Sequence, residues 1–375
     1  VTSRPTAPLR VLHLVKGLEA GGAEELLVQA ARHRDRARFT YEVAYLLGTH
    51  VAREPDLVAE DVTVTCLHGE RTGDPRWLAR LRRLVVDHRI EVVHAHSPLV
   101  ASGARAVLAT LGPTRRPRLV VTLHNQWRSH HVSVRALDRV TWRRDDLRLT
   151  VSEAVRRSLP EPAASRAITL VHGIDVAAQR AGADRAAVRA ELGVSDHQVL
   201  VGTVANLRGT KGYPDLIAAA ATVVRQHPEA RFVSVGQGPL LEELERRRDE
   251  AGLGDHLRFL GYRPDAARVV SGCDIFCLSS HHEGLPVALM EALALGIPVV
   301  ATDVGGIAEL VTTGEQGLVV PPHRPELLAA ALAEVVADGE LRRRFAEGAR
   351  ARGDGLDAGT ATAAIEANYL RLAGR

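Results

Sequence analysis

The chain has 375 residues, 46% of them hydrophobic, and its 48 Lys+Arg against 45 Asp+Glu leave a net charge of +3. That length suits two domains, and balanced charge with high apolar content excludes a disordered chain. No apolar run reaches about 18 residues, which excludes a spanning helix, and three cysteines are too few for a disulfide framework, so reduced thiols in a cytoplasmic protein are expected.

Residues 1–8 read as a loose lead without signal- or transit-peptide character. Apolar runs at 9–15, 41–47, 62–67, 91–94, 118–123, 147–151 and 167–171 read as strands. Amphipathic stretches at 23–33, 77–88 and 101–110 read as helices between them. Near-continuous apolar strands alternating with helices predict a parallel sheet covered on both faces, a doubly wound α/β domain. The rhythm breaks after Val171, and the weakly patterned 176–183 is the expected linker. A second cycle opens with Asp184 as N-cap of a helix at 185–192 that stops at Gly193. Strands follow at 199–204, 231–235, 256–260, 275–278, 297–301 and 317–320, then helices at 325–337, 340–352 and 360–373. Two Rossmann-like domains with a cleft between them is the simplest architecture. Ligands of open α/β sheets bind beyond the carboxyl ends of the strands, so the candidate residues are sought there.

Arg outnumbers Lys 46 to 2, the lysines being Lys16 and Lys211. Charge is also uneven: residues 1–175 hold 27 basic and 19 acidic side chains (net +8), and residues 176–375 hold 21 and 26 (net −5). A basic half fits an anionic ligand or an anionic membrane surface. The basic amphipathic stretch 76–86, with Trp77, points the same way. Both features equally fit arginines held in water over an ordinary packed helix. With 3% aromatics there is no stacking platform for nucleic acid.

Three strand ends carry chemistry. The first leads into Gly21 and Gly22 before a helix, where backbone amides can approach an anion. The second is followed by Asn206, Arg208 and Lys211 before a helix with Pro214 in its first turn. A flexible ammonium and a planar guanidinium suit a diphosphate, although the spacing is not that of a Walker loop. The third, after 274–278, runs through Glu283, Gly284, Leu285, Pro286 and Val287 to Glu291. The Gly-Leu-Pro puts Glu283 on the entering loop and Glu291 within the helix. Carboxylates at such places accept hydrogen bonds from the diols of a sugar or ribose.

Glu283 and Glu291 fit the E-x7-E signature of retaining GT-B glycosyltransferases, and the chain resembles glycosyltransferase family 4 (glycosyl transferases group 1). Gly21-Gly22, Lys211-Gly212, the turn Gly236-Gln237-Gly238-Pro239, Phe259 with Gly261, and Gly305-Gly306 resemble family motifs in the family's order, from about residue 10 to 372. The resemblance implies a GT-B fold, two Rossmann-like doubly wound domains facing across a cleft. The domains would be an acceptor domain at 1–178, a nucleotide-sugar domain at 179–356 and a helix at 357–375 crossing back to the first. It implies sugar contacts for Glu283, ribose contacts for Glu291 and diphosphate neutralisation by Lys211. Backbone of Gly21–Gly22 and of 284–287 would meet phosphate or sugar, and Gly236, Tyr262 and Arg263 would lie near the base. His124 matches a family histidine near the donor sugar, and His94, His96 and Asn125 are acceptor-side candidates. The family's diphosphate arginine is replaced by Asn206, leaving Arg208 as its substitute.

The expected reaction is retaining, metal-independent hexosyl transfer from a nucleotide diphosphate sugar to an acceptor hydroxyl on a lipid-linked, anionic or natural-product acceptor. No D-x-D motif is present to hold a metal, and no cofactor is expected beyond the nucleotide-sugar co-substrate. The partners expected are that donor, an acceptor and the inner face of an anionic membrane, with no nucleic acid. Competing readings are a nucleotide-sugar epimerase or sugar phosphorylase on the same fold, or a metal-dependent hydrolase using His94, His96 and His124. Cys273 and Cys277 are expected as buried thiols, and Asp145-Asp146 as a solvated helix end.

Overall fold

The computed structural model describes residues 7–19, 21–49, 51–69 and 74–375. Most of the lead at 1–8, and parts of the stretches 50–55 and 70–75 between elements, lie outside these described residues. Contacts divide the chain into two units. One holds the residues up to Gly173 together with Ala358–Arg375, and the other is Ile174–Asp357.

The first unit contains strands β1 (Leu9–Val15), β2 (Phe39–Tyr45), β3 (Thr63–Cys66), β4 (Val92–Ala95), β5 (Arg118–Leu123), β6 (Leu147–Thr150) and β7 (Ile168–Thr169). They form one parallel sheet in the order β3-β2-β1-β4-β5-β6-β7. The second unit contains β8 (Val199–Val204), β9 (Ala230–Val235), β10 (Leu257–Phe259), β11 (Ile275–Leu278), β12 (Val299–Thr302) and β13 (Gly317–Val320), in the order β10-β9-β8-β11-β12-β13. Each sheet reverses its winding direction once, between β1 and β4 and between β8 and β11. At such a switch point the flanking loops diverge and leave room for a ligand.

Burial on both faces explains the runs of Val, Leu and Ile that give the strands away: Leu9, Val11, Leu12 and Leu14 of β1 are all fully buried. The helix Ala358–Ala373 packs on the helix Gly22–His33, and its Ile365 and Tyr369 join the core of the first unit with Leu27, Phe39 and Tyr41.

Several local expectations are revised. The stretch expected as a linker contains the helix Val176–Ala181, capped by the Asp175 carboxylate accepting from the Ala178 amide at 2.8 Å. That helix packs on the helix Val287–Ala294, so the residues from Ile174 belong to the second unit. Asp145 is not a solvated helix end. Its carboxylate accepts from Arg105 Nε at 2.7 Å, and Arg105 also reaches Asp138 at 3.0 Å, with both side chains buried. Arg148 closes the network on Asp138 at 2.5 Å. A buried arginine keeps its charge only where carboxylates compensate it, and here Asp138 and Asp145 do so for Arg105 and Arg148. The basic helix Arg76–Asp87 buries Leu81, Leu84 and Val85, and Trp77 lies so close over Gly103 that a Cβ there would collide with the indole. Trp77 thus packs against the helix Pro98–Leu108.

Candidate active site

The sharpest cluster lies in the second unit, at the switch point between β8 and β11. After β8 the chain passes Asn206, half-buried, and Arg208, exposed, into a tight turn at Gly209–Lys211. Gly212 follows with φ +61, and a Cβ there would collide with the backbone carbonyl of Ser279. Only glycine permits both the conformation and the approach. The helix Tyr213–Gln226 then begins, with Tyr213 Oη donating to the Ala205 carbonyl at 2.7 Å and so tying the turn to the strand end.

Opposite this turn, β11 runs into Ser279, Ser280 and the loop bearing Glu283. Lys211 Nζ lies 2.6 Å from Glu283 Oε1, and Ser280 Oγ donates to the same oxygen at 2.6 Å. Ser279 Oγ donates to the Lys211 carbonyl at 3.0 Å, locking the two loops together. The Glu283 side chain is 8% exposed and that of Lys211 25%. The buried carboxylate thus lies directly against the ammonium, which keeps a partly exposed edge. Gly305 carries φ +58, and a side chain there would run into the Glu283 carbonyl. The Gly306 amide donates to the Gly284 carbonyl at 2.7 Å. The glycine pair therefore braces the glutamate loop from behind.

The loop ends at Pro286, and Val287–Ala294 is helical, with Leu285 and Val287 buried and Glu291 half-buried. Glu283 stands on the loop and Glu291 about one turn into the helix. Farther along the sheet edge, the Gly236 amide donates to the Gly261 carbonyl at 2.9 Å, joining the ends of β9 and β10. Tyr262 is exposed there, and Arg263 is held by Asp265 at 2.7 Å and by Glu191 at 2.6 Å.

In the first unit, Gly21 and Gly22 precede and open the helix Gly22–His33, whose first turn contains Glu24 and Glu25. These carboxylates already occupy the positive end of that helix, which lowers its pull on a further anion. His94, His96 and His124 come together, and they are joined by two residues the sequence did not single out, His13 and His172. His13 Nδ1 is 3.0 Å from His96 Nε2, and His96 Nδ1 is 3.1 Å from His124 Nε2. The rings of His124 and His172 stack with centroids 5.3 Å apart and planes 5° apart. His94 bonds Tyr369 Oη at 2.5 Å and Thr122 Oγ1 at 2.6 Å. Burial pushes His13 and His124 down to about 3 and His172 to about 4, and drives His94 and His96 well below the ordinary imidazole value. Asn125 is exposed beside them.

The only sequence signal for His13 is a polar residue inside an otherwise apolar strand. For Ser280, His172 and Tyr369 there is none. Among the described residues two groups bring metal-ligating atoms within 4.8 Å of one another: His13, His94 and His96, and Asp215, His281 and His323. His124 is outside the first group. In that group the facing nitrogens of His13 and His96 sit at hydrogen-bond distance, and both nitrogens of His94 already have partners. In the second, His281 Nε2 meets Asp215 Oδ2 at 2.8 Å, and its ring lies tilted against His323 with centroids 3.8 Å apart. Cys273 and Cys277 are buried thiols pushed up to about 12 by burial.

Residues 184–352 match the model of the family described as "Glycosyl transferases group 1", and residues 11–178 match "Glycosyltransferase Family 4". A GDP-mannose-dependent α-(1-6)-phosphatidylinositol monomannoside mannosyltransferase of Mycolicibacterium smegmatis is 31% identical over 304 residues, covering 76% of either chain. A D-inositol 3-phosphate glycosyltransferase of Saccharomonospora viridis is 34% identical over 291 residues, 74% of this chain and 63% of that protein. Other curated relatives are matched over about half of their own length, 44%. Among solved structures, Anabaena Alr3699/HepE in complex with UDP-glucose superposes with a TM-score of 0.82 at 23% identity, covering 96% of this chain and 99% of that one.

Proposed function

The chain belongs to glycosyltransferase family 4, with the GT-B fold, and on that premise we propose that it transfers a hexosyl group from a nucleotide diphosphate sugar to an acceptor hydroxyl, with retention and without a metal. The observation that carries this reading is the Lys211–Glu283 pair at the β8/β11 switch point. Lys211 is held on a glycine turn beside Arg208, and Glu283 is the carboxylate on the loop leading to Glu291.

In the proposed reaction the donor diphosphate draws Lys211, with Arg208 at the turn's outer edge. The bond from the anomeric carbon to the phosphate oxygen breaks while the acceptor oxygen bonds that carbon on the same face. The acceptor's proton passes to a donor phosphate oxygen, and the nucleoside diphosphate leaves. Lys211 and the backbone N–H groups of Gly284, Leu285 and Val287 stabilise the charge that develops on it, and being fixed beforehand they need not reorganise. Glu283 holds sugar hydroxyls, Glu291 the ribose, and Gly236, Tyr262 and Arg263 flank the base. The second unit thus takes the donor and the first the acceptor, with His94, His96 and Asn125 on the acceptor side. The relatives' names specify inositol phosphate and phosphatidylinositol acceptors. Together with the +8 half of this chain, they support an anionic or lipid-linked acceptor and a place on the cytoplasmic face of a membrane. No described helix is long and apolar enough to cross one.

Thermal stabilisation by UDP-, GDP-, ADP- and dTDP-sugars in EDTA tests this. One nucleotide should raise the Tm of the wild type and raise it less in Glu291→Ala. No shift with any nucleotide, with EDTA alone lowering the Tm, would reject the transferase reading in favour of a metal site.

A further inference from the structure

Three segments of the second unit meet at a group of side chains that the proposed transfer leaves unused. Asp215 lies in the first turn of the helix Tyr213–Gln226, His281 follows β11 and His323 follows β13. One ligating atom of each lies within 4.8 Å of the other two. His281 Nε2 is 2.8 Å from Asp215 Oδ2, and the His281 and His323 rings have centroids 3.8 Å apart. Asp215 and His281 are half-buried and His323 is exposed, so the group opens to solvent on the His323 side.

The backbone presents these side chains to one another. The His281 N–H donates to the Thr210 carbonyl at 2.8 Å, which ties its loop to the turn that precedes Asp215. Its Nε2 lies 3.0 Å from where a Cβ on Gly212 would stand, directly over the start of the helix. His323 has φ +59, a left-handed conformation uncommon outside glycine. Pro321 and Pro322 precede it and Pro325 follows, and their fixed φ angles stiffen the loop that holds it there. In that conformation its ring rests against His281. The neighbouring cation, Arg324, is paired with Glu326 at 3.4 Å.

Two imidazoles and a carboxylate form the ligand set of a divalent transition ion of the zinc type, with water in a fourth position. Bonds of about 2.0–2.2 Å at roughly 90–109° put neighbouring ligand atoms about 2.9–3.5 Å apart. Asp215 and His281 are already close to that spacing, and rotation of the exposed His323 side chain closes the rest. Ligation through Nε2 of His281 leaves the imidazole proton on Nδ1. Magnesium and calcium, which take oxygen ligands, do not suit the set. We propose that Asp215, His281 and His323 bind one zinc-type divalent ion, which staples together the segments that follow β8, β11 and β13. Lys211 and Glu283 are not among its ligands, so the ion takes no part in the transfer and the site does not rest on the transferase reading.

The test uses the full chain stripped with EDTA and then freed of the chelator. Zinc chloride alone, titrated by calorimetry, should bind at one site with a micromolar or tighter Kd, and magnesium chloride should not bind. Zinc at 100 times its Kd should raise the Tm of the second unit by about 5–10 °C. His323→Asn keeps a residue that tolerates the left-handed conformation, and Asp215→Asn keeps a hydrogen-bonding group beside His281. Each should melt near the wild type without metal, weaken zinc by at least about 10-fold and lose most of the Tm rise. Zinc binding that is absent or only millimolar would overturn the proposal. Equal zinc affinity in both variants would place the ion on other histidines and overturn it too, and magnesium binding as tight as zinc would overturn the ion class. Nucleotide stabilisation is read in EDTA, with this ion removed, so its failure would count against the transferase reading alone and leave the zinc result standing.

Discussion

At the scale of single residues, Lys211 is bound up with Glu283 as much as with any ligand. Removing the lysine leaves a carboxylate that is 8% exposed with Ser280 as its remaining hydrogen-bond donor among the contacts described above. An uncompensated buried charge is more costly than the lost pair was worth. Two effects should follow in Lys211→Ala. Nucleoside diphosphate affinity should fall by about 10- to 100-fold, the value of one charge-assisted contact to phosphate, as measured by titration calorimetry. The free protein should also melt earlier. The double variant Lys211→Ala, Glu283→Gln should recover stability without recovering affinity, because it neutralises the buried carboxylate and leaves the phosphate unmet. Unaltered affinity in Lys211→Ala would remove Lys211 from the donor site. Lys211 was legible because it is one of two lysines among 46 arginines, and Glu283 because of its spacing to Glu291. Ser280 and His172 were not. A hydroxyl or a lone imidazole carries no spacing of its own and gains meaning only from what the fold sets beside it. The Arg105–Asp138–Asp145 network was misread for a related reason, since adjacent charged residues look solvated until a third element covers them.

At the scale of elements, the turn Gly209–Lys211 and Gly212 set the reach of Lys211. Gly212 combines a positive φ with a neighbouring backbone carbonyl that no rotamer change can move. Gly212→Ala should cost at least about 2 kcal/mol, roughly a 4–8 °C fall in Tm for a unit of this size, and should displace the lysine from Glu283. Gly209→Ala is the internal control. Nothing lies within 4 Å of a Cβ there, so its Tm should stay within about 1–2 °C of the wild type. Equal losses at the two glycines, read by calorimetry, would mean that the loop as a whole resists substitution and that Gly212 has no special place. Strands such as Leu9–Val15 and Ile275–Leu278 were legible, because burial on both faces leaves a near-continuous apolar run, broken in the first only by Arg10 and His13. Short helices such as Val176–Ala181 were not, because six residues span too few turns to display a period.

At the scale of the whole molecule, the return of Ala358–Ala373 to the first unit was legible only through family likeness. No period in that helix announces which sheet it covers. Its Tyr369 and Glu366 end beside the histidines, with Tyr41 Oη donating to Glu366 Oε1 at 3.0 Å. These buried groups give the first unit a pH dependence whose sign can be worked out. His13 and His94 are 2% and 1% exposed, and burial holds both well below the ordinary value of 6.5. Between pH 6.5 and about 4 the unfolded chain therefore binds protons that the native unit refuses. Stability is full above pH 6.5 and falls with acid by roughly 1.4 kcal/mol per pH unit for each such ring. Glu366 opposes this. Burial raises it to about 7, so the native unit binds its proton first, and this contribution grows as pH falls from 7 towards 4.5. One carboxyl offsets one of the two rings, while His96, His124 and His172 add to the acid side. The net expectation from pH 6.5 to 5 is a loss of at least roughly 2 kcal/mol, seen in scanning calorimetry as a transition of the first unit moving down by about 4–8 °C. Glu366→Gln should steepen the slope by removing the opposing group, and His13→Asn should flatten it. A first-unit transition that holds or rises on acidification would mean that these imidazoles accept protons in the folded state, and the neutral array would have to be abandoned.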